Sequence, residues 1–264
     1  MTTVGKIYDI LDKSAPFKRA DKYDNSGILV GSREDTVSKV LIALDITNDV
    51  IEEAKEKGAD LIISHHPVFN FRYEEFGNID KKTPIYNLAR YGISAICTHT
   101  CLDVAKGGIN DIIFDMLKGP FSLRENPEIL EIVGEDYGYG KVCVSEKEFT
   151  PKETAEMLKK IFGCTVVKYC PGKDKIKKIA FCSGGGGSIL NLAYEKGADA
   201  YICGDVKHDR WIAAKNLGIS LFDCGHYHTE VIMVDYLVKL LSSEIPDTEF
   251  LPAEKGTDIV EYEF

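Results

Sequence analysis

The sequence has little of what membrane, exported or nucleic-acid-binding proteins need. It contains no stretch of about 18 uncharged apolar residues and no apolar signal segment at its N-terminus, so we expect an unexported, cytoplasmic protein that does not enter a membrane. A formal charge of -10 leaves no net positive field for phosphate backbones, which disfavours bulk nucleic-acid binding. The one lysine-rich run, residues 173–178, is interpreted as a solvated turn before a strand.

Cysteine pairs with CxxC spacing are also missing. The chain has eight cysteines, and several fall inside apolar, strand-like runs, so we expect reduced and buried thiols. Cys101 and Cys224 lie beside histidine motifs, where packing is the simpler explanation and weak metal coordination is the alternative.

Length and hydrophobic content allow a large core. The chain has 264 residues, of which 44% are hydrophobic, and from residue 39 onward strand-like and helix-like patterns alternate with short turns. Strands are predicted over 39–44, 61–64 and 93–97, and helices over 48–57 and 84–91. Strand, helix and strand with short connections predict parallel βαβ units, and therefore an α/β fold.

The same order of elements recurs in the second half of the chain, and the match extends to single residues. Residues 39–43 and 56–63 correspond to residues 178–182 and 195–202 at an offset of 139. Four residues before the next strand repeat at an offset of 126. Chance similarity between βαβ units is the alternative to a true repeat.

A true repeat predicts two similar α/β lobes with mixed, largely parallel sheets that face a shared metal site. We divide the chain into a first lobe (1–120), a connecting segment of helix and strands (121–177) and a second lobe (178–264). In open α/β sheets, ligands bind beyond the carboxyl ends of the strands. The repeat therefore predicts one site to which both lobes contribute.

The six histidines all follow apolar, strand-like runs closely; they are His65, His66, His99, His208, His226 and His228. A satisfied structural side chain is the ordinary explanation for one such histidine, but six in four similar places favour metal binding. Imidazole and carboxylate ligands together suit Zn, Fe, Mn, Co or Ni. Pro67 breaks the first of these strands, so the adjacent rings of His65 and His66 can diverge toward two ions.

Acidic side chains accompany these histidines. Asp103 follows His99 by four positions and is a candidate bridge between two ions, with helix capping as the alternative. Glu230 follows His226 by four positions and falls in the first turn of a predicted helix, where an acid is stable even without metal.

Further polar groups follow the second-half strands. Asp205 and His208 are candidates for general acid/base or supporting groups. The glycine-rich residues 184–187 join a strand to a helix, and a phosphate cradle made by Gly184, Gly185 and Gly186 with Lys207 is predicted, against a plain tight turn. The run matches neither GxGxxG followed by the usual acid nor a P-loop.

Seven short motifs in this order resemble the GTP cyclohydrolase I type 2 homologues, also called the NIF-three-like dinuclear-metal family. They occupy residues 24–27, 44–47, 64–67, 98–103, 184–188, 204–208 and 225–230. The resemblance implies metal ligands at His65, His66, Asp103, His226 and Glu230. It also implies that His99 lines the site, that two divalent ions bind per chain, and that the chain forms a toroidal homohexamer with interior metal sites. The length matches the short form of the family, and Asp209 departs from it, since many relatives have a second histidine there.

The hypothesis that follows is a metal-dependent hydrolase. Water activated by two ions would attack a purine nucleotide or a related small molecule, as the family name implies for GTP, with His99, Asp205 and His208 as proton shuttles. Hydrolysis of a phosphoester fits the same residues. The alternative is a non-enzymatic, metal-binding toroidal scaffold that binds a protein or nucleic-acid partner.

Overall fold

The computed structural model describes residues 1–68, 79–256 and 258–263. They form two compact units, the first from Met1–Ala105 and Val231–Ile259 and the second from Lys106–Glu230 and Val260–Phe264. Within the described ranges, no helix is both long and apolar enough to cross a membrane.

The strands are, in chain order, β1 Thr2–Thr3, β2 Gly27–Val30, β3 Thr36–Val37, β4 Lys39–Ala43, β5 Leu61–Ser64, β6 Ser94–Cys97, β7 Glu128–Ile132, β8 Gly138–Phe149, β9 Lys168–Cys170, β10 Ile176–Phe181, β11 Ala200–Cys203, β12 Ser220–Asp223 and β13 Glu249–Pro252. The α-helices are α1 Val4–Ser14, α2 Asn48–Lys57, α3 Pro84–Tyr91, α4 His99–Asp103, α5 Ile109–Lys118, α6 Pro151–Phe162, α7 Leu190–Glu195, α8 His208–Leu217, α9 His226–Glu230 and α10 Ile232–Glu244. The predicted α/β class is confirmed, and the predicted bounds of α2, α3 and β5 agree with the structure.

The first unit is built on a sheet with the strand order β13-β4-β5-β6-β2. Its first four strands are parallel, and β2 runs antiparallel to β6. Every residue of β5 and β6 is buried, as expected for central parallel strands covered on both faces.

The second unit is built on a sheet with the order β7-β8-β10-β11-β12-β9. Only β10, β11 and β12 are parallel, so among these described strands three of the five pairings are antiparallel. The prediction of a largely parallel sheet holds for the first unit and is wrong for this one. Strands β7 and β8 form a hairpin, and a short connection of that kind allows only antiparallel pairing.

The match between the two halves of the sequence extends to their strand registers. Leu41 of β4 pairs with Ile62 of β5. The residues 139 positions after these two, Ala180 of β10 and Tyr201 of β11, also pair with each other. Because the register fixes which face each side chain enters, the two parallel cores present equivalent positions at the same depth.

Both halves also contain the same hydrogen-bonded turn. The backbone N–H of Asp60 donates to the carbonyl of Lys39 at 2.9 Å, and that of Asp199 donates to the carbonyl of Lys178 at 2.7 Å. Each aspartate carboxylate in turn accepts from the N–H of the same lysine, at 3.2 Å and 2.8 Å. The shared aspartate therefore ties each helix-to-strand turn to the neighbouring parallel strand.

The structure groups the chain differently from the predicted domain division. Strand β13 pairs with β4, so it belongs to the first sheet, whereas the prediction placed residues 178–264 in the second lobe. Strands β7, β8 and β9 join the second sheet, so residues 121–177 form part of that unit, which also includes α5. Chain proximity is a common guide to strand neighbours, but it fails for strands recruited to a sheet edge from far along the sequence.

Glu53 of α2 holds the segment that follows β13. Its carboxylate, 3% exposed, accepts from the backbone N–H groups of Glu254 at 2.9 Å and Lys255 at 2.7 Å, and pairs with Lys57 at 2.7 Å. Burial alone would raise the pKa of Glu53, but these hydrogen bonds outweigh burial and lower that pKa below its ordinary value.

We expect Glu53→Gln to lower the free energy of unfolding at neutral pH by about 1–3 kcal/mol, because two backbone N–H groups and Lys57 lose a charged acceptor. Since the folded-state pKa of Glu53 is lowered, its contribution is present above an unfolded pKa of about 4.3 and is lost as pH falls through the folded value. Urea denaturation should therefore show the two proteins converging below about pH 4. Glu56→Gln, at a side chain that is 65% exposed, is the control and should change little. A Glu53→Gln difference that is independent of pH would contradict this role.

Candidate metal centre

The turn after β5 presents two adjacent histidines in different directions. The backbone N–H groups of His65 and His66 both donate to the carbonyl of Leu44, at 3.2 Å and 3.0 Å, and Ser64 Oγ donates to the carbonyl of His66 at 2.7 Å. The strand ends at Ser64, as Pro67 predicts, and the two rings lie 5.0 Å apart at 57°. His65 is fully buried, while the His66 side chain is 23% exposed.

In the first unit, the imidazole rings of His66 and His99 each hydrogen-bond to a carboxylate through Nδ1. His66 Nδ1 lies 2.8 Å from Asp45 Oδ1, and His99 Nδ1 lies 2.8 Å from Asp24 Oδ1. Because an ionised carboxylate can only accept, each Nδ1 carries the proton and donates it. Each Nε2 is thereby left as the ring nitrogen with an electron pair, which is the form that binds metals.

Asp24 is itself fixed by a buried network. It accepts from the backbone N–H of Thr100 at 3.1 Å, from the Thr100 hydroxyl at 2.5 Å and from the Ser26 hydroxyl at 2.8 Å. Burial would raise the pKa of Asp24, but the hydrogen bonds from His99 and Thr100 outweigh burial and hold that pKa well below its ordinary value. Asp24 is therefore a buried anion at the base of His99.

The first unit brings three imidazoles and a carboxylate together. His65, His66 and His99 each offer a ligand atom within 4.8 Å of the other two, and the His99 ring lies 5.3 Å from that of His65. Asp103 Oδ2 lies 3.6 Å from His65 Nε2, and Asp103 is buried. His99 and Asp103 are the first and last residues of the short helix α4, so one helical turn brings both to this cluster.

The second unit repeats this arrangement on α9. His226 begins the helix and Glu230 ends it, and His226 Nε2 lies 2.9 Å from Glu230 Oε2. His226 Nδ1 donates to Asp205 Oδ2 at 2.9 Å. Glu230 is buried, so its role is not limited to capping an exposed helix end.

Asp205 holds this position through an uncommon backbone conformation. Its φ of +50° is in the left-handed region, which aspartate and asparagine tolerate better than most side chains. The sequence predicted Asp205 as a supporting group or a general acid/base group, and the structure places its carboxylate 2.9 Å from Nδ1 of His226. In this position Asp205 orients the ring.

The side chains of His226 and Glu230 leave room only for a glycine at position 184. Its φ is +55°, and a Cβ at this position would overlap Glu230 Oε1 and lie 3.0 Å from His226 Nε2. Its N–H donates to Thr229 Oγ1 at 3.0 Å, and its carbonyl accepts from the N–H of Gly186 at 2.8 Å. The glycine thus leaves room beside the donor atoms of α9, which the phosphate-cradle hypothesis did not anticipate.

The predicted phosphate contacts stay predictions. The N–H groups of Gly184 and Gly186 already donate within the second unit, whereas Gly185 is exposed. Lys207 and His208 are exposed at the start of α8. The structure therefore leaves Gly185 and Lys207 accessible to a ligand and does not test contact with one.

Two functional residues were missed by reasoning from the sequence, although both lie in the motifs that carry the resemblance. Asp24 supports His99 from 75 positions away, and Asp45 supports His66 from 21 positions away. Their positions in the chain could have indicated them. Asp45 follows the end of β4, and Asp24 precedes β2, which pairs with β6, the strand that leads to His99. The donor set, with carboxylates behind imidazoles, fits a divalent transition metal or zinc.

We expect Asp205→Asn to weaken metal binding by about tenfold, because the amide retains an acceptor for His226 but loses the negative charge that makes imidazole a better ligand. Asparagine also tolerates the left-handed backbone, so the fold should be unaffected. Competition against a metal-sensitive chelating dye measures the change. Asp209→Asn, at an exposed acid that pairs with Arg210, is the matched control. Equal metal affinity in the two variants would contradict the proposal that Asp205 supports His226 as a metal ligand.

Comparison with known proteins places these features in a family. The family model described as Duf34/NIF3 (NGG1p interacting factor 3) matches residues 2–256. A Clostridium perfringens protein named GTP cyclohydrolase 1 type 2 homolog is 32% identical over 97% of this chain and 98% of its own. NGG1-interacting factor 3 of Saccharomyces cerevisiae is 28% identical over 90% of each chain.

A solved structure agrees with this assignment. The crystal structure of a Staphylococcus aureus hypothetical protein matches with a TM-score of 0.86 and 28% identity, over 99% of each chain. The mixed α/β fold is thus shared with a solved structure along nearly the whole length. The chain belongs to the Duf34/NIF3 family.

Proposed function

We propose that this chain binds two divalent metal ions and uses them to hydrolyse a small-molecule substrate. The proposed ligands are His65, His66, Asp103, His226 and Glu230. The observation that carries the proposal is the carboxylate behind the imidazole, which occurs at His66 and His226 among the ligands. Such support fixes the tautomer and raises ligand basicity, and it is typical of histidines that bind metal.

Five ligands for two ions leave coordination positions for water, unlike a closed structural zinc site. When bound, the ions supply Lewis acidity that brings the pKa of a water molecule toward neutrality. Burial of His65, Asp103 and Glu230 excludes bulk solvent around these donors and strengthens their electrostatic effect.

His99 is proposed to move the proton. Its Nδ1–H is held by Asp24, so its Nε2 can accept a proton from the attacking water. The buried anion of Asp24 then stabilises the imidazolium that forms. His208 stays a predicted second acid/base group at the exposed start of α8.

The proposed substrate is a purine nucleotide, with ring opening of GTP as the first reaction to test. Support comes from relatives that carry the name GTP cyclohydrolase 1 type 2 homolog. Gly185 and Lys207 are exposed in the second unit and are the proposed phosphate contacts. The oligomer proposed from the resemblance is a cytoplasmic homohexamer, which native mass spectrometry of the intact protein would measure.

The test is a turnover screen of the metal-loaded protein against GTP, other nucleotides and phosphoesters. We expect turnover that a chelator removes and that added metal restores. We expect His99→Gln to lower kcat by about 10²- to 10⁴-fold. His228→Gln is the control and should retain activity. Turnover of a phosphoester without GTP would change the substrate and keep the hydrolase. No turnover, with tight binding to a protein or nucleic acid, would favour the metal-binding scaffold instead.

A further inference from the structure

Two cysteines that are distant in sequence meet within the second unit. Cys164 follows the end of α6, Cys224 follows β12, and Cys164 Sγ donates to the carbonyl oxygen of Cys224 at 3.0 Å. This contact places the Cys164 side chain directly against the Cys224 residue.

Only one member of the pair faces a cavity that a reagent can enter. Cys164 lines a surface cavity of about 490 Å³ together with Glu156, Lys159, Lys160 and Gly163. Cys224 is fully buried. A reagent in the cavity would therefore reach Cys164 first, and two lysines would favour an anionic reagent.

The surroundings of Cys164 favour its reactive form. The neighbouring Cys224 side chain lowers the pKa of Cys164 more than burial raises it, and the charge of Lys159 lowers it further. The thiolate is the nucleophile in disulfide exchange.

We propose that Cys164 and Cys224 form a redox-active dithiol that a small anionic disulfide oxidises to an intramolecular disulfide. The Cys164 thiolate attacks one sulfur of the reagent, its S–S bond breaks, and one thiol leaves. Cys224 Sγ, losing its proton, then attacks Cys164 Sγ and displaces the second thiol. The protein pair gives up two electrons and two protons, and the reagent is reduced to two thiols.

The pair is separate from the proposed metal chemistry, because neither sulfur is a proposed ligand and the oxidation needs no metal. Cys224 lies between β12 and α9, and Cys164 follows α6. The disulfide would therefore join the β12–α9 connection covalently to the end of α6. The sequence offered only packing or metal coordination for Cys224, since its partner lies 60 positions away.

The experiment treats the purified, reduced protein with glutathione disulfide, alkylates the remaining thiols and maps peptides without reductant. We expect a Cys164–Cys224 cross-linked peptide, a mass loss of about 2 Da in the intact chain, and reversal by dithiothreitol. Of the eight cysteine thiols, six should remain to be alkylated. Cys164→Ser should give no cross-link at Cys224, and Cys224→Ser should stop at the mixed disulfide on Cys164.

Cys170→Ser is the matched control, because Cys170 is more exposed than Cys164 yet lies outside the pair. It should form the cross-link as the wild type does, and thermal unfolding should show that all three serine variants are folded. The proposal is overturned if the wild type gives no cross-link, or if the cross-link joins other cysteines. It is also overturned if Cys164→Ser loses two thiols as fast as the wild type.

Discussion

Replacing Gly184 by alanine is expected to weaken metal binding by about 10- to 100-fold, the size seen when support of a metal ligand is lost. The new Cβ would overlap Glu230 Oε1 and lie 3.0 Å from His226 Nε2, so at least one of the two side chains must move. Both neighbours are anchored, His226 by Asp205 and Glu230 by burial. The change therefore acts on the donor atoms directly.

The control for Gly184→Ala is Gly197→Ala. Gly197 also has a positive φ, +72°, but a Cβ there would meet no atom within 4 Å. Both variants carry the strain of a left-handed alanine, about 1 kcal/mol, and only the first crowds the ligands. Metal affinity measured by dye competition should fall in Gly184→Ala alone. Equal affinities would mean that Glu230 and His226 do not need this space.

Asp24→Ala is expected to lower the free energy of unfolding of the metal-free protein by about 3–5 kcal/mol. Asp24 is 1% exposed in its side chain and accepts hydrogen bonds from His99, Thr100 and Ser26. Alanine would leave several buried donors without an acceptor, and each such loss is costly.

Asp45→Ala is the matched control, because Asp45 holds His66 with the same geometry while its side chain is 49% exposed. Water can replace the lost acceptor there, so we expect a change of about 1 kcal/mol or less. Urea denaturation in the presence of a chelator measures both variants without a contribution from metal. Similar losses would show that the Asp24 network does not stabilise the fold.

The core of the fold was predictable from sequence because its signals are local. Apolar runs marked β4 and β5, and Gly58 marked the end of α2, where its φ is +66°. The turn aspartates Asp60 and Asp199 are part of the sequence match between the two halves. Each makes the same backbone hydrogen bond to the neighbouring strand. Residues 249–252, predicted as part of the second lobe, form β13 of the first sheet, because pairing at a sheet edge depends on contacts between distant parts of the chain.

The sequence predicted the candidate ligands, but not the carboxylates that support their rings. Histidines at strand ends and acids four positions later mark α4 and α9, where one helical turn brings each pair together. The pairing of Asp24 with His99 spans 75 positions and follows only from the packing of β2 against β6. The space that Gly184 leaves beside His226 and Glu230 was not predicted, because spacing alone cannot show what a missing Cβ makes room for.

The number of ions held by the intact chain and by its ligand variants tests the metal centre. Native mass spectrometry of the protein, loaded with zinc and then desalted, should show two ions per chain, with loss of metal in both His66→Ala and Glu230→Gln. His228→Gln, outside the proposed ligand set, should keep both ions. The account is contradicted if the wild type holds no ion, or if His66→Ala and Glu230→Gln both retain the wild-type metal content.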